Sequence, residues 1–139
     1  MRRAGADRGR RLRAVGGRWF DDRVGASSDD FWDLARQLDG VEQVDHGRYV
    51  HVLTHGHGFG YLWLPTQTVG LKQELSEQIA LVAERPDVFE VQFTTGAFGW
   101  VVVHLAGVER GGLAELTYEA WLLTAPASVV AERGDRLPR

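Results

Sequence analysis

The sequence predicts an α+β fold, and three observations carry that prediction. Apolar residues recur at helical spacing in three separate stretches, the segments between them alternate or run apolar at strand length, and turn residues punctuate the boundaries. Read in order, the elements run α-β-β-β-α-β-β-α within 139 residues, a length that suits one hydrophobic core.

The first helix begins at "SSDDFWDLARQLDG". Ser27 or Ser28 caps it, and Asp29, Asp30 and Asp33 stand where the positive end of the helix dipole favours carboxylates. Phe31, Leu34, Ala35 and Leu38 form one apolar stripe, and Gly40 occupies the position of a C-terminal cap. "VEQVDH", "RYVHVLT" and "FGYLWLP" read as three strands. In the last, Phe59, Tyr61 and Trp63 share one face while Leu62 and Leu64 share the other, so both faces are expected to be at least partly covered. "TVGLK" extends the sheet. A second helix, "QELSEQIALVAER", carries Leu75, Ile79, Val82 and Ala83 at helical spacing and stops near Arg85, because Pro86 disfavours helix in the residue before it. "VFEVQF" sets Phe89, Val91 and Phe93 against Glu90 and Gln92, and "GWVVVHLAGV" reads as an interior strand. A third helix spans Leu113 to Thr124 and is limited by Pro126.

The net charge of −3 conceals two opposite parts. Residues 1–26 hold eight arginines against three aspartates, or +5, whereas residues 27–139 hold sixteen acidic and eight basic residues, or −8. The Arg-, Gly- and Ala-rich segment 1–26 is therefore expected to be a flexible arm, and 27–139 a single domain. A cationic arm attracts a phosphate backbone and an acidic domain repels one. No apolar run reaches the ~18 residues of a membrane span, and the N-terminal arginines precede no apolar signal core. The absence of cysteine excludes disulfides, thiolate metal sites and Cys nucleophiles, and fits a cytoplasmic compartment.

The stretch "HVLTHGHGFGYLWLP" holds three of five histidines, His51, His55 and His57. Their matching parity would align them on an extended strand, but Gly56 and Gly58 favour a hairpin turn, and no neighbouring carboxylate completes a metal site. The hairpin is the reading adopted, with no metal or cofactor expected. His104, in line with Trp100 and Val102, is expected to be a hydrogen-bonded core residue, and Trp63, Trp100 and Trp121 to be core. Lys72, the only lysine, is either a phosphate contact near a helix start or a solvated partner of Glu74 or Glu77, the second being favoured. No nucleophile elbow, P-loop or dinucleotide-binding glycine pattern occurs, so no catalytic residue is nominated.

"LARQLDGVEQVDH", "VGLKQEL", "RPDVFEV", "GAFGWVVVHLAGV" and "LAELTYEAWLLTAPASVV" resemble, in order and spacing, the MmcQ/YjbR family of small bacterial proteins. Asp39-Gly40-Val41-Glu42 matches the family's leucine–proline–glycine–valine–glutamate segment, Lys72 its lysine after a strand, and Pro86 to Phe89 its proline–x–x–phenylalanine. Gly99-Trp100 matches the glycine–tryptophan strand, and Ala120-Trp121 with Ala125-Pro126 the closing motif. Asp39 replaces the usual proline, and Ala127 and Ser128 stand where a basic residue often follows. The resemblance implies a two-layer α/β sandwich of the frataxin and secretion-chaperone kind, with a mainly antiparallel sheet covered by helices. It also implies the family's DNA-binding label, and it brings no catalytic residues.

Two function classes follow. One is non-specific DNA binding, with arm residues such as Arg10, Arg11 and Arg13 on phosphates and Arg48 and Lys72 as contacts on the domain. The other is a protein- or small-ligand-interaction module, dimeric or joined to a basic partner, that uses a sheet face or edge and no nucleic acid. An enzyme is the least supported class.

Overall fold

The structure is a computed structural model and describes residues 25–139. The nominated Arg10, Arg11 and Arg13 lie outside the described residues. Gly25 and Ala26, assigned above to the arm, are part of the fold. The Ala26 amide donates to the carbonyls of Leu105 (3.0 Å) and Val108 (2.8 Å), and Gly25 bridges to Glu109.

Helix α1 (Ser28–Ala35) starts from a capping box, in which the Asp30 amide donates to Ser27 Oγ (3.2 Å) and the Ser27 amide donates to Asp30 Oδ2 (3.0 Å). Two such orphan donors satisfied reciprocally fix the start of a short helix. The helix is shorter than the apolar stripe suggests, and Leu38 is buried from the turn beyond it. Gly40 lies four residues past the C-cap, Arg36, rather than forming it. It has a positive φ of 72°, and a Cβ there would fall 2.4 Å from the His55 ring.

Strands β1 (Val41–Asp45), β2 (Val50–Thr54) and β3 (His57–Trp63) form a meander, and β4 (Thr68–Glu74) follows as a full strand rather than an extension. Helix α2 (Leu75–Glu84) leads through the Pro86 turn into β5 (Phe89–Thr95) and β6 (Phe98–His104), then to α3 (Arg110–Leu122) and α4 (Ala127–Arg133). The order therefore gains one strand and one helix over the sequence reading. Pro126 ends one helix and supplies the N-cap position of the next, with Val129 and Val130 of α4 packed on the core. The third helix begins three residues earlier than expected, because Glu109 takes the N-cap position after a single 3-10 turn, Leu105–Gly107.

The fold class is α+β, with one six-stranded sheet in the order β1-β2-β3-β4-β6-β5, antiparallel at every pairing. Register puts Val52, Leu62, Val69, Leu71, Val101 and Val103 on one side, all buried. Phe31, Leu34, Leu113, Leu116 and Trp121 from α1 and α3 join them in the same core. Two buried glutamines on this side are bonded across the layer. Gln73 Nε2 donates to the Leu116 carbonyl (3.2 Å), and Gln78 Nε2 of α2 donates to the carbonyls of Trp100 (2.9 Å) and Phe93 (3.1 Å). All the helices that pack on the sheet do so from this side, and no described element lies across the other face.

Candidate functional site

The second face of the sheet is built by three rows of side chains that the strand register sets side by side. One row runs His51, Tyr61, Gly70, Val102, Glu90, and the next runs Lys72, Trp100, Phe93. Trp63, Thr68 and His104 form a third row above them. Opposite residues in antiparallel strands share a face, so this alignment follows from register alone.

The rings form a continuous track. His46 stacks on Tyr49 at 4.9 Å between centroids, and Tyr49 meets Trp63 at 4.8 Å and Tyr61 at 5.8 Å. His51 lies parallel to Tyr61, 4.7 Å away with planes 4° apart. Tyr61 contacts Trp100 at 5.4 Å, and Trp100 stacks on Phe93 at 5.1 Å. The Tyr61–Trp100 contact spans β4, and it exists because Gly70, between them, has no side chain to separate the rings. Such pairs add ~0.5–1.5 kcal/mol each beyond the area they bury, which helps a face that no described element covers keep its rings ordered.

Gly70 also receives the side chain of Gln92. Register shifts between Val91 and Phe93 mark a β-bulge at Gln92, which re-aims this residue and brings Phe93 opposite Trp100. Gln92 then reaches across β6, and a Cβ on Gly70 would stand 2.0 Å from its Oε1. That oxygen is enclosed and has no hydrogen-bond partner, and His51 Nε2 on the same face is likewise enclosed and unpartnered. An enclosed polar atom left unsatisfied costs ~1–3 kcal/mol. Two such atoms lie on this face, and Thr117 Oγ1 on α3 is another. Burial first, and the charge of His46 second, hold the His51 pKa below its ordinary value.

Lys72 stands directly opposite Trp100. Its ammonium lies 4.3 Å from the centre of the Phe98 ring and 3.5 Å from the Leu123 carbonyl, so the favoured pairing with Glu74 or Glu77 is not formed. Burial lowers its pKa. Arg48 sits exposed in the β1–β2 turn between His46 and Tyr49. Neither forms an ion pair among the described residues, whereas Arg36, Arg85, Arg110 and Arg133 are each held by an aspartate. Both domain residues nominated from sequence therefore flank the open face, at opposite ends of its strands.

Other sequence expectations resolve differently. His104 is half-exposed on the open face and pairs with Glu90, so it is not a core residue. The reason is strand parity, because His104 faces away from the helices like Trp100 and Val102. Trp121 is fully buried in the core, Trp100 is buried but belongs to the aromatic track, and Trp63 is half-buried there. The hairpin reading of "HGHG" holds: His55 (φ 52°) and Gly56 (φ 83°) form a two-residue turn between Thr54 and His57. The three histidines diverge. His51 lies under Tyr61, the His55 ring bonds Thr54 Oγ1 at 2.9 Å, and His57 is exposed.

An open cleft of about 880 Å³ beside the C-terminal residues is lined by Arg110, Arg133, Arg136 and Arg139. It supplies its own counter-groups. Arg110 is engaged by Asp30 and Asp33, and Arg133 donates to the Gln37 carbonyl and to Asp39. The hydrogen bonds from Arg36 and then Arg110 hold the Asp33 carboxyl below its usual pKa. The open sheet face, with its ring track and with two cations that form no ion pair among the described residues, is the better candidate.

No family model and no curated protein matches this chain. Among solved structures it is similar to the crystal structure of the Deinococcus radiodurans protein DR2400, whose domain is of the DUF419 type. The TM-score is 0.61 at 16% identity, over 72% of this chain and 78% of that one. DUF419 is related to MmcQ/YjbR-type folds, so the likeness agrees with the architecture that the sequence resemblance implies. At 16% identity it establishes the fold alone.

Proposed function

We propose that this protein is a non-enzymatic binding module whose open sheet face takes the unstacked bases of single-stranded nucleic acid, with the Arg-rich segment 1–26 supplying phosphate contacts. The observation that carries the reading is the unbroken ring track from His46 to Phe93 on a face that no described element covers. Bases inside a duplex are stacked on one another and cannot reach a sheet surface, whereas unpaired bases stack on aromatic side chains irrespective of sequence. Lys72 and Arg48, without acidic partners among the described residues, stand at the two ends of the strands as phosphate contacts. The −8 charge of residues 27–139 is concentrated elsewhere, since register places three of the sixteen carboxylates, Glu42, Glu74 and Glu90, on this face.

This reading moves the nucleic-acid expectation from duplex phosphate contact to base stacking. The test is fluorescence anisotropy of the full chain with a labelled single strand and with the duplex of the same sequence, at several salt concentrations. Tighter binding of the single strand by about tenfold is expected, since each stacked base contributes ~1–3 kcal/mol. Equal or tighter duplex binding would reduce the interaction to the electrostatics of the arm. The second reading, a protein-interaction module for a basic partner, draws on the acidic domain. It predicts no binding of either nucleic acid.

A further inference from the structure

The ring track accounts for stacking but not for Gln92, which stands at its centre. Stacking alone would be served by an apolar residue at this bulge. Instead the chain brings a carboxamide across β6 and lays it on the bare backbone of Gly70, bordered by Tyr61, Trp100 and Lys72. Its Oε1 is enclosed there and has no partner, so the side chain leaves a hydrogen bond unmade in the absence of a ligand. Gln92 as a whole is only half-buried, and its Oε1 has no hydrogen bond to hold it in place. By contrast, Gln78 on the other side of the sheet is tied down by two backbone carbonyls.

We infer that Gln92 is a base-reading residue. It swings out of the Gly70 notch when a nucleotide stacks on the adjacent rings, and it hydrogen-bonds the edge of that base through its paired acceptor and donor. A glutamine carboxamide matches the adjacent donor and acceptor of adenine, N6 and N7, so the ligand class is an adenine nucleotide within a single strand, with Lys72 near its phosphate. The inference rests on the stacking function proposed above and adds specificity to it. Gly70 acquires a role of its own, because it provides the resting place that keeps the carboxamide close to the rings.

The experiment is anisotropy of labelled adenine, thymine and cytosine homo-oligomers with the full chain as wild type, Gln92→Leu and Gly70→Ala. Wild type should prefer the adenine oligomer by about tenfold, the discrimination of one good bidentate contact. Gln92→Leu should bring the three oligomers to within about twofold of one another while still binding all of them, as stacking does not depend on the base. Gly70→Ala expels the carboxamide from its notch and should weaken the adenine preference, since the notch is what keeps the carboxamide close to the rings. Thermal melts of each variant confirm that it is folded. Wild type without a base preference, or a preference that survives Gln92→Leu, overturns the role of Gln92 and leaves stacking intact. Failure of all three oligomers to bind wild type overturns both this inference and the function on which it rests.

Discussion

The two faces of the one sheet differ in side-chain chemistry and in which described elements cover them. On the helix side, Val52, Val69, Leu71, Val101 and Val103 are aliphatic and fully or almost fully buried under α1, α2 and α3. On the open side the residues that stand out are aromatic, and they carry nitrogen, hydroxyl or carboxamide groups. Aliphatic residues suit permanent burial, because they interdigitate and have no polar atom to satisfy. Aromatic residues with polar edges suit a surface that is sometimes wet and sometimes covered, since they supply rigid contact area at low entropic cost. One side is therefore built for stability and the other for contact.

The largest expected effect lies on the helix side. Trp121 is fully buried and its Nε1 donates to the Asp39 carbonyl at 2.9 Å. Trp121→Ala should lower stability by ~3–5 kcal/mol in urea unfolding. Phe93→Ala, at a site that is 39% exposed, should cost under ~1 kcal/mol, as surface substitutions do. Similar losses at the two sites would mean that the open face is a second core.

Two glycines sharpen the same contrast. A Cβ on Gly99 would stand 2.7 Å from Gln78 Cβ, next to the helix backbone, and Gln78 is fixed by its two bonds. The atoms nearest a Cβ on Gly70 all belong to the free end of the Gln92 side chain. Gly99→Ala should therefore cost ~1–3 kcal/mol by overpacking. Gly70→Ala should leave the unfolding midpoint nearly unchanged, and a large loss there would show that the Gln92 side chain cannot move.

The smallest effect concerns pH. Burial, and then the charge of His46, depress the His51 pKa below the ordinary histidine value of about 6.5. A histidine whose folded pKa is depressed takes up its proton more readily in the unfolded chain. Its contribution is thus present above pH ~6.5 and is lost as pH falls below that value. Thermal midpoints measured between pH 7.5 and 5 should fall more steeply in wild type than in His51→Phe. Parallel slopes would remove His51 as the cause.

Much of the helix side is legible in the sequence, because local spacing is enough to show it. The Phe31–Leu34–Ala35–Leu38 stripe and the Pro86 stop are examples. The α4 helix is hidden because Pro126 reads as a terminator, although proline is equally at home just before a helix begins. The aromatic track is hidden for a different reason. Tyr61 and Trp100 are far apart in sequence and meet only because the strand order is β3-β4-β6 and Gly70 lies between them. Strict alternation in "VFEVQF" would put Phe93 on the side of Phe89 and Val91, and the bulge at Gln92 moves it to the other. A glycine inside an apolar strand, "TVGLK", with aromatic residues in both neighbouring strands, was the available signal for a close approach.

The central claim is that the open face, and not the helix side, is the contact surface. It is tested most directly by comparing two variants of the full chain for binding to a labelled single-stranded DNA at fixed salt. One is the double variant Tyr49→Ala with Phe93→Ala, and the other is Ile79→Ala, which removes an apolar side chain that is 61% exposed on α2. The account predicts a loss of about tenfold or more for the double variant, given ~1–3 kcal/mol per stacked base, with Ile79→Ala indistinguishable from wild type. Equal affinity in both variants, or a larger loss with Ile79→Ala, would contradict it.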